Sequence, residues 1–317
     1  TDLTIGKSGN TQTINLSNDI TTTSDQRYNG PVILSGGNRT LTAGTSSDNI
    51  FFESTVDSDG TARSLNVSAG TNSGGVITFT GAVGGNSELS GLTSDSNLFK
   101  AGSNITLAGL LDVDIYGNSQ SSNYGIAGGI LDGTSPASFS KGGRSNRWLE
   151  VYGNNNYTGA TTIKAGYLRI TNDSPQSFLN NTTFTGPGHL QIRPNSTNFS
   201  SVLSMSDINF TGTSINELYL GRSGTNTKLV LDEDISTGNE IHIYMPVEVN
   251  GGDRSITATN DNIRFYQTIN SDTSARTLTL DSGNGNVRID GAVGNSAPLN
   301  NINIIAEALT AGAISLN

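Results

Sequence analysis

Short apolar or alternating runs recur from one end of the chain to the other, each closed by Gly, Asn, Asp or Ser, at intervals of roughly ten residues. Val32–Leu34, Val76–Thr80 and Leu111–Tyr116 are examples in the first half. Trp148–Tyr152, Thr161–Ile163, Tyr167–Ile170, Glu240–Tyr244 and Ile263–Tyr266 follow later. Short runs bounded by turn formers predict strands, and no 3.6-residue periodicity lasts beyond two turns. An all-β protein built from many short strands is expected.

Repetition narrows the architecture. Pro31-Val32-Ile33-Leu34-Ser35-Gly36-Gly37-Asn38-Arg39 is matched by Pro246-Val247-Glu248-Val249-Asn250-Gly251-Gly252-Asp253-Arg254. Asn49-Ile50-Phe51-Phe52 answers to Asn262-Ile263-Arg264-Phe265, and Gly81-Ala82-Val83-Gly84 to Gly291-Ala292-Val293-Gly294. The offset drifts only from 215 residues at Pro31 and Pro246 to 210 at Gly81 and Gly291. Duplicated modules therefore cover about 31–89 and 246–299. Tandem β-sandwich modules are the alternative, but sandwich strands usually run about 5 to 6 residues and are joined by hairpins. No Pro-rich or charged linker separates the copies, and a solenoid needs none, because each coil rests on its neighbours. The expectation is a single-stranded right-handed parallel β-helix, continuous over 1–317. At about 20 to 25 residues per coil, that makes roughly 13 to 15 coils.

Composition supports this and excludes other classes. Charged residues are 14%, Gly numbers 39 and Cys is absent, so helix formers are scarce and disulfides and thiolate metal sites are impossible. Seventeen basic against 27 acidic residues, net charge −10, argue against nucleic acid and anionic lipid as partners. No apolar run is long enough to insert directly in a membrane. The chain begins at Thr1 without Met or a signal peptide, which reads as a processed product or a piece of a larger protein.

The stretch Asn154-Asn155-Asn156-Tyr157-Thr158-Gly159-Ala160-Thr161-Thr162-Ile163-Lys164-Ala165-Gly166-Tyr167-Leu168-Arg169-Ile170 resembles the passenger-associated repeat of autotransporters. Gly159-Ala160 stands for its Gly-Gly and Tyr167 for its Thr. The duplicated modules are similar to segments of filamentous-haemagglutinin-like proteins. The resemblance implies a right-handed β-helix, export across both membranes and display on a Gram-negative outer membrane, in the service of cell adhesion, biofilm or virulence. The residues carry their own expectation: Ile163, Leu168 and Ile170 face inward, Thr162 outward, and Gly159 and Gly166 take positive φ at corners.

Catalytic chemistry is thin. His189 and His242 are isolated and in no metal-ligand spacing. Asp112 and Asp114 share a strand face and are the best general acid and base pair available, yet they read more simply as solvated carboxylates. No Asp-Asp pair of the pectin-hydrolase kind occurs. Asp57-Ser58-Asp59-Gly60 lacks the remaining ligands of a calcium loop. No cofactor, metal or catalytic residue is expected. Trp148, Tyr152, Tyr157 and Tyr167 cluster within 20 residues and could form an exposed strip that stacks sugar rings, although aromatic caps on the aliphatic column are the plainer reading. The function expected is a structural or adhesive surface segment whose partner is a glycan, a host or neighbour-cell surface protein, or another copy of itself. A secreted polysaccharide-degrading enzyme or phage tailspike is the first rival, and a self-associating filament subunit the second.

Overall fold

The structure is a computed structural model describing residues 1–44, 47–70, 74–117, 124–179, 182–209 and 215–317. Every described strand pairing is parallel, as in Gln26–Tyr28 beside Ile50–Phe52 and Ile241–Ile243 beside Ile263–Phe265. The chain is a β-solenoid of about 13 turns, which excludes hairpin-built sandwiches. Among the described residues helix is confined to Gln176–Leu179 and the 3-10 turn Met205–Asp207.

Two compact units are present, Thr1–Arg169 and Ile170–Asn317. In the first, a turn such as Gln26–Tyr28, Val32–Leu34, Arg39–Thr42 contributes one strand to each of three sheets before the chain re-enters the first at Ile50–Phe52. The second repeats this plan with Glu217–Leu220, Leu229–Leu231, Ile235–Thr237 and then Ile241–Ile243. Turn length is 27 residues from Ile50 to its partner Ile77 and 22 from Ile241 to Ile263, close to the length expected from sequence.

Most three-residue strands read buried–half-buried–buried because side chains alternate and only one face meets the interior. Ile163, Leu168 and Ile170 are buried and Thr162 half-exposed, as expected. Equivalent inward residues stack turn on turn. Tyr28, Phe52 and Phe79 form a buried aromatic column with centroid spacings of 5.1 and 4.7 Å. Each such ring contributes about 1.5–3 kcal/mol by burial. The corner at Gly166 adopts φ 69° as expected. Gly159 does not take a positive φ; it is glycine because an added Cβ would lie 2.3 Å from the Ala137 carbonyl oxygen one turn away.

Polar corners are latched from turn to turn, which explains much of the Asn and Asp content. Asp59 accepts the Gly36 N–H at 2.8 Å from the preceding turn, and Arg63 Nε at 3.0 Å. In the second copy Asp272 accepts Gly251 N–H at 3.2 Å and Arg276 Nε at 3.1 Å. Asp57 Oδ1 accepts the Asn86 N–H one turn on, and Asn270 Oδ1 does the same for Ser296 N–H. The backbone latch needs one acceptor, which an amide oxygen supplies as well as a carboxylate; the second Asp57 oxygen also accepts Asn86 Nδ2 at 3.0 Å, a bond that the other copy lacks among the described residues. The backbone latches of the duplication are thus preserved.

Candidate functional site

The aromatic strip expected around residue 150 is only partly assembled. Trp148 and Tyr167 stack at 4.0 Å and 13°, with the Arg169 guanidinium 4.2 Å over Trp148. Tyr152 is half-buried beyond the far end of strand Trp148–Val151, about 13 Å from Trp148 at 3.3 Å per residue. Tyr157 corrects the expectation. It is fully buried, edge-on to Phe139 at 6.4 Å, with its hydroxyl 2.5 Å from Thr161 Oγ1. An inward phenol needs a hydrogen-bond partner, and Thr161, buried beside it, is that partner.

A larger aromatic group stands in the second unit, on residues the sequence reading does not single out for binding: Tyr244 and Tyr266 enter it only as strand ends and His242 as an isolated histidine. Tyr219, His242, Tyr244 and Tyr266 alternate outward along neighbouring strands. Tyr219 stacks on His242 at 4.7 Å, and Tyr244 on Tyr266 at 4.0 Å and 11°. A hydrogen-bond chain links them: the Tyr244 hydroxyl donates to Tyr266 at 3.3 Å, while His242 lies 3.1 Å from Tyr266 Oη through Nδ1 and 2.9 Å from Glu240 through Nε2. Burial, and then the bond to Tyr266, raise the Tyr244 hydroxyl above the usual phenol range. Burial pushes Glu240 up, but hydrogen bonds from His242 and Asn262 outweigh it and hold that carboxyl low. Stacked rings and the hydrogen-bond chain together make a packed polar platform.

Beside the platform opens a cleft of about 470 Å3 lined by Ser223, Gly224, Asn226, Tyr244, Tyr266 and Gln267. It exists because the position before Tyr244 in its column is Gly221, next to Leu220, which pairs with Ile243. Gly221 has φ 80°, and a Cβ there would meet Met245 Cγ at 2.6 Å. No side chain continues the column from this point. Gln267 Nε2 donates to the Thr225 and Tyr244 carbonyls, the latter at 2.7 Å, tying the corner turn to the tyrosine floor.

The first unit contains the same cleft. Ser8, Gly9, Thr11, Asn29, Glu53 and Ser54 line about 610 Å3, each at the equivalent position of one of the six residues above. The turns match: Asn10 N–H donates to Lys7 O and Thr225 N–H to Arg222 O, both at 3.0 Å, and Gly6 has φ 78° where Gly221 has 80°. Gly6-Lys7-Ser8-Gly9 and Gly221-Arg222-Ser223-Gly224 sit at the offset of 215 that relates Pro31 to Pro246. The duplication therefore reaches upstream of Pro31, and this four-residue signal, with Asp19-Ile20 and Asp234-Ile235 at the same offset, was available in the sequence. The floors differ. Asn29 and Glu53 replace Tyr244 and Tyr266, and Arg27 pairs with Glu53 while lying 4.0 Å over Phe51.

Asp112 and Asp114 share an outward face but not a role. Both oxygens of Asp112 accept Lys164 Nζ at 2.8 Å. Asp114 lies in register with Asp95 one turn back. Burial, and then the charge of the neighbouring carboxylate, raise both: Asp114 acts on Asp95 and Asp112 on Asp114. Among the described residues no group of three or more His, Asp or Glu is placed to hold a metal ion, and no helix is long and apolar enough to cross a membrane. Asp57 and Asp59, weighed as calcium ligands, are engaged in the latches. Comparison with protein-family models, curated proteins and solved structures finds no match.

Proposed function

We propose that this chain is an extracellular structural and adhesive segment of a bacterial surface protein, attaching to glycans, to cell-surface proteins or to further copies of itself without turning anything over. The observation that carries this is the division of labour among its outward side chains. Corner carboxylates and amides latch successive turns, whereas the outward Tyr244–Tyr266 pair flanks an open cleft on a repetitive scaffold. Distributed polar and aromatic surface favours non-covalent recognition. The likeness of residues 154–170 to the passenger-associated repeat supports display at the outer membrane.

The test is direct. The purified chain, coated on beads, is expected to retain bacterial or host cells while leaving the viscosity and reducing ends of acidic and neutral polysaccharides unchanged. Cleavage abolished by Asp112→Asn or Asp114→Asn would replace this function with hydrolysis.

A further inference from the structure

The two clefts share a frame but not a floor, and the contrast defines what the second can hold. Its corner turn is fixed in advance: the side chain of Thr225 is buried and accepts the Arg222 N–H at 3.1 Å, and Gln267 clamps that turn to Tyr244. Its floor is the open face of Tyr244, backed by Tyr266 stacked behind it at 4.0 Å and 11°, a flat apolar surface that needs no rearrangement. None of the six lining residues named is ionised. Nearby charged groups are engaged elsewhere: Arg264 with Asp290 at 3.0 Å, Glu240 with the His242 ring at 2.9 Å, and Arg222, in the corner turn, with the Asn195 and Ser196 carbonyls at 3.3 Å. The rim offers a hydroxyl from Ser223 and an amide from Asn226, both exposed. The volume falls in the usual range for small-ligand sites, about 300–1,000 Å3.

We propose that this tyrosine-floored cleft is a binding site for an uncharged pyranose ring of a glycan. The ring stacks on Tyr244, which Tyr266 backs, extending the aromatic column over Gly221, and its hydroxyls meet Ser223 and Asn226. A sugar ring suits the site because its C–H face matches an aromatic surface while its rim hydrogen-bonds to neutral donors and acceptors. An acidic sugar would bring a carboxylate to a cleft with no free cation in its lining. The assignment rests on the adhesive reading above and adds to it a place and a ligand class.

The test uses the full 317-residue chain on an array of neutral hexose oligomers with their uronate and sulfated counterparts, followed by calorimetry with the strongest neutral oligomer. Tyr244→Asn combined with Tyr266→Glu installs residues that the other unit carries in the same frame. This variant is expected to weaken binding by more than about tenfold, the effect of losing a stacking anchor, with an unchanged thermal midpoint. Tyr244→Phe with Tyr266→Phe is expected to keep most of the affinity. If the first variant fails to fold, Ser223→Leu, which fills the cleft from its exposed rim, carries the same expected loss. Equal affinity of variant and parent, or binding of charged glycans alone, overturns the assignment. A chain that binds no glycan yet still retains cells overturns the assignment and leaves the adhesive function standing. Polysaccharide cleavage removes both.

Discussion

The first and second units carry the same cleft and spend their aromatic residues differently around it. In the first unit the rings of Tyr28, Phe52 and Phe79 lie inside, and the positions beside the cleft are Glu53 and Asn29, the latter buried with its Nδ2 donating to the Gly6 carbonyl at 2.8 Å. In the second the inward positions are Ile243, Phe265 and Ile289, while Tyr244 and Tyr266 face out. Backbone geometry is held constant across the pair, down to the hydrogen bonds Asn29 N–H to Ile5 O and Tyr244 N–H to Leu220 O, at 3.0 and 2.9 Å. The lesson is that a latched solenoid turn fixes where side chains stand and leaves their chemistry free on the outer face. Inward positions tolerate far less.

That asymmetry can be broken most forcefully from the inside. Ile163→Asp buries an unpaired carboxylate and should cost several kcal/mol, whereas Thr162→Asp, on the outer face, should stay within about 0.5 kcal/mol. Phe52→Ala and Phe265→Ala should each cost about 3–5 kcal/mol. Phe52 should cost more by about 0.5–1.5 kcal/mol, because it also loses ring stacking. Denaturant titration of each variant gives these values; equal costs at 162 and 163 would mean the strand register is wrong.

A smaller effect separates two kinds of carboxylate by the sign of their pH dependence. Hydrogen bonds from Arg276 pull Asp272 down to about 2. Its folded value is depressed, so its contribution is present above the ordinary value of 3.8 and is lost as pH falls toward about 2. Asp95 and Asp114 are raised, so their protonated forms favour the fold; that stability is present below 3.8 and is lost as pH rises through their raised values. Asp114→Asn removes the like charge opposite Asp95. It should stabilise the chain by up to about 1 kcal/mol at pH 7 and change little at pH 3, as read from thermal midpoints at the two pH values. The smallest effect is expected at a latch: Asp57→Asn should cost about 0.5–1 kcal/mol, because Asn270 already performs the backbone task and only the bond from Asn86 Nδ2 is lost, or re-formed by a flip of the Asn86 amide.

Strands and the inward column were legible in the sequence wherever β-branched or aliphatic residues alternate around a glycine corner, as at Thr161–Ile163 and Leu168–Ile170. Tyr157 was misread because it lies at a corner outside any strand, where period-2 alternation gives no direction. Lys141 left no signal at all. It occupies an inward position opposite Val113, is fully buried, and donates to the Arg147 and Ala165 carbonyls at 3.0 and 2.7 Å. Burial lowers it to about 7. The clefts were missed for another reason. Their frame repeats in only a few residues, Gly-Lys/Arg-Ser-Gly, and the floors that differ between copies hide the rest of the duplication.

The central claim is that the frame is common and the floor decides what binds. It is tested most directly by grafting Asn29→Tyr and Glu53→Tyr into the first unit and titrating the variant with the neutral oligomer bound by the parent chain. The account predicts that the calorimetric stoichiometry rises from one site to two, with similar affinities, while the loss of the Asn29 bond to the Gly6 carbonyl and of the Arg27–Glu53 pair lowers the thermal midpoint slightly. A folded variant whose stoichiometry stays at one would contradict it.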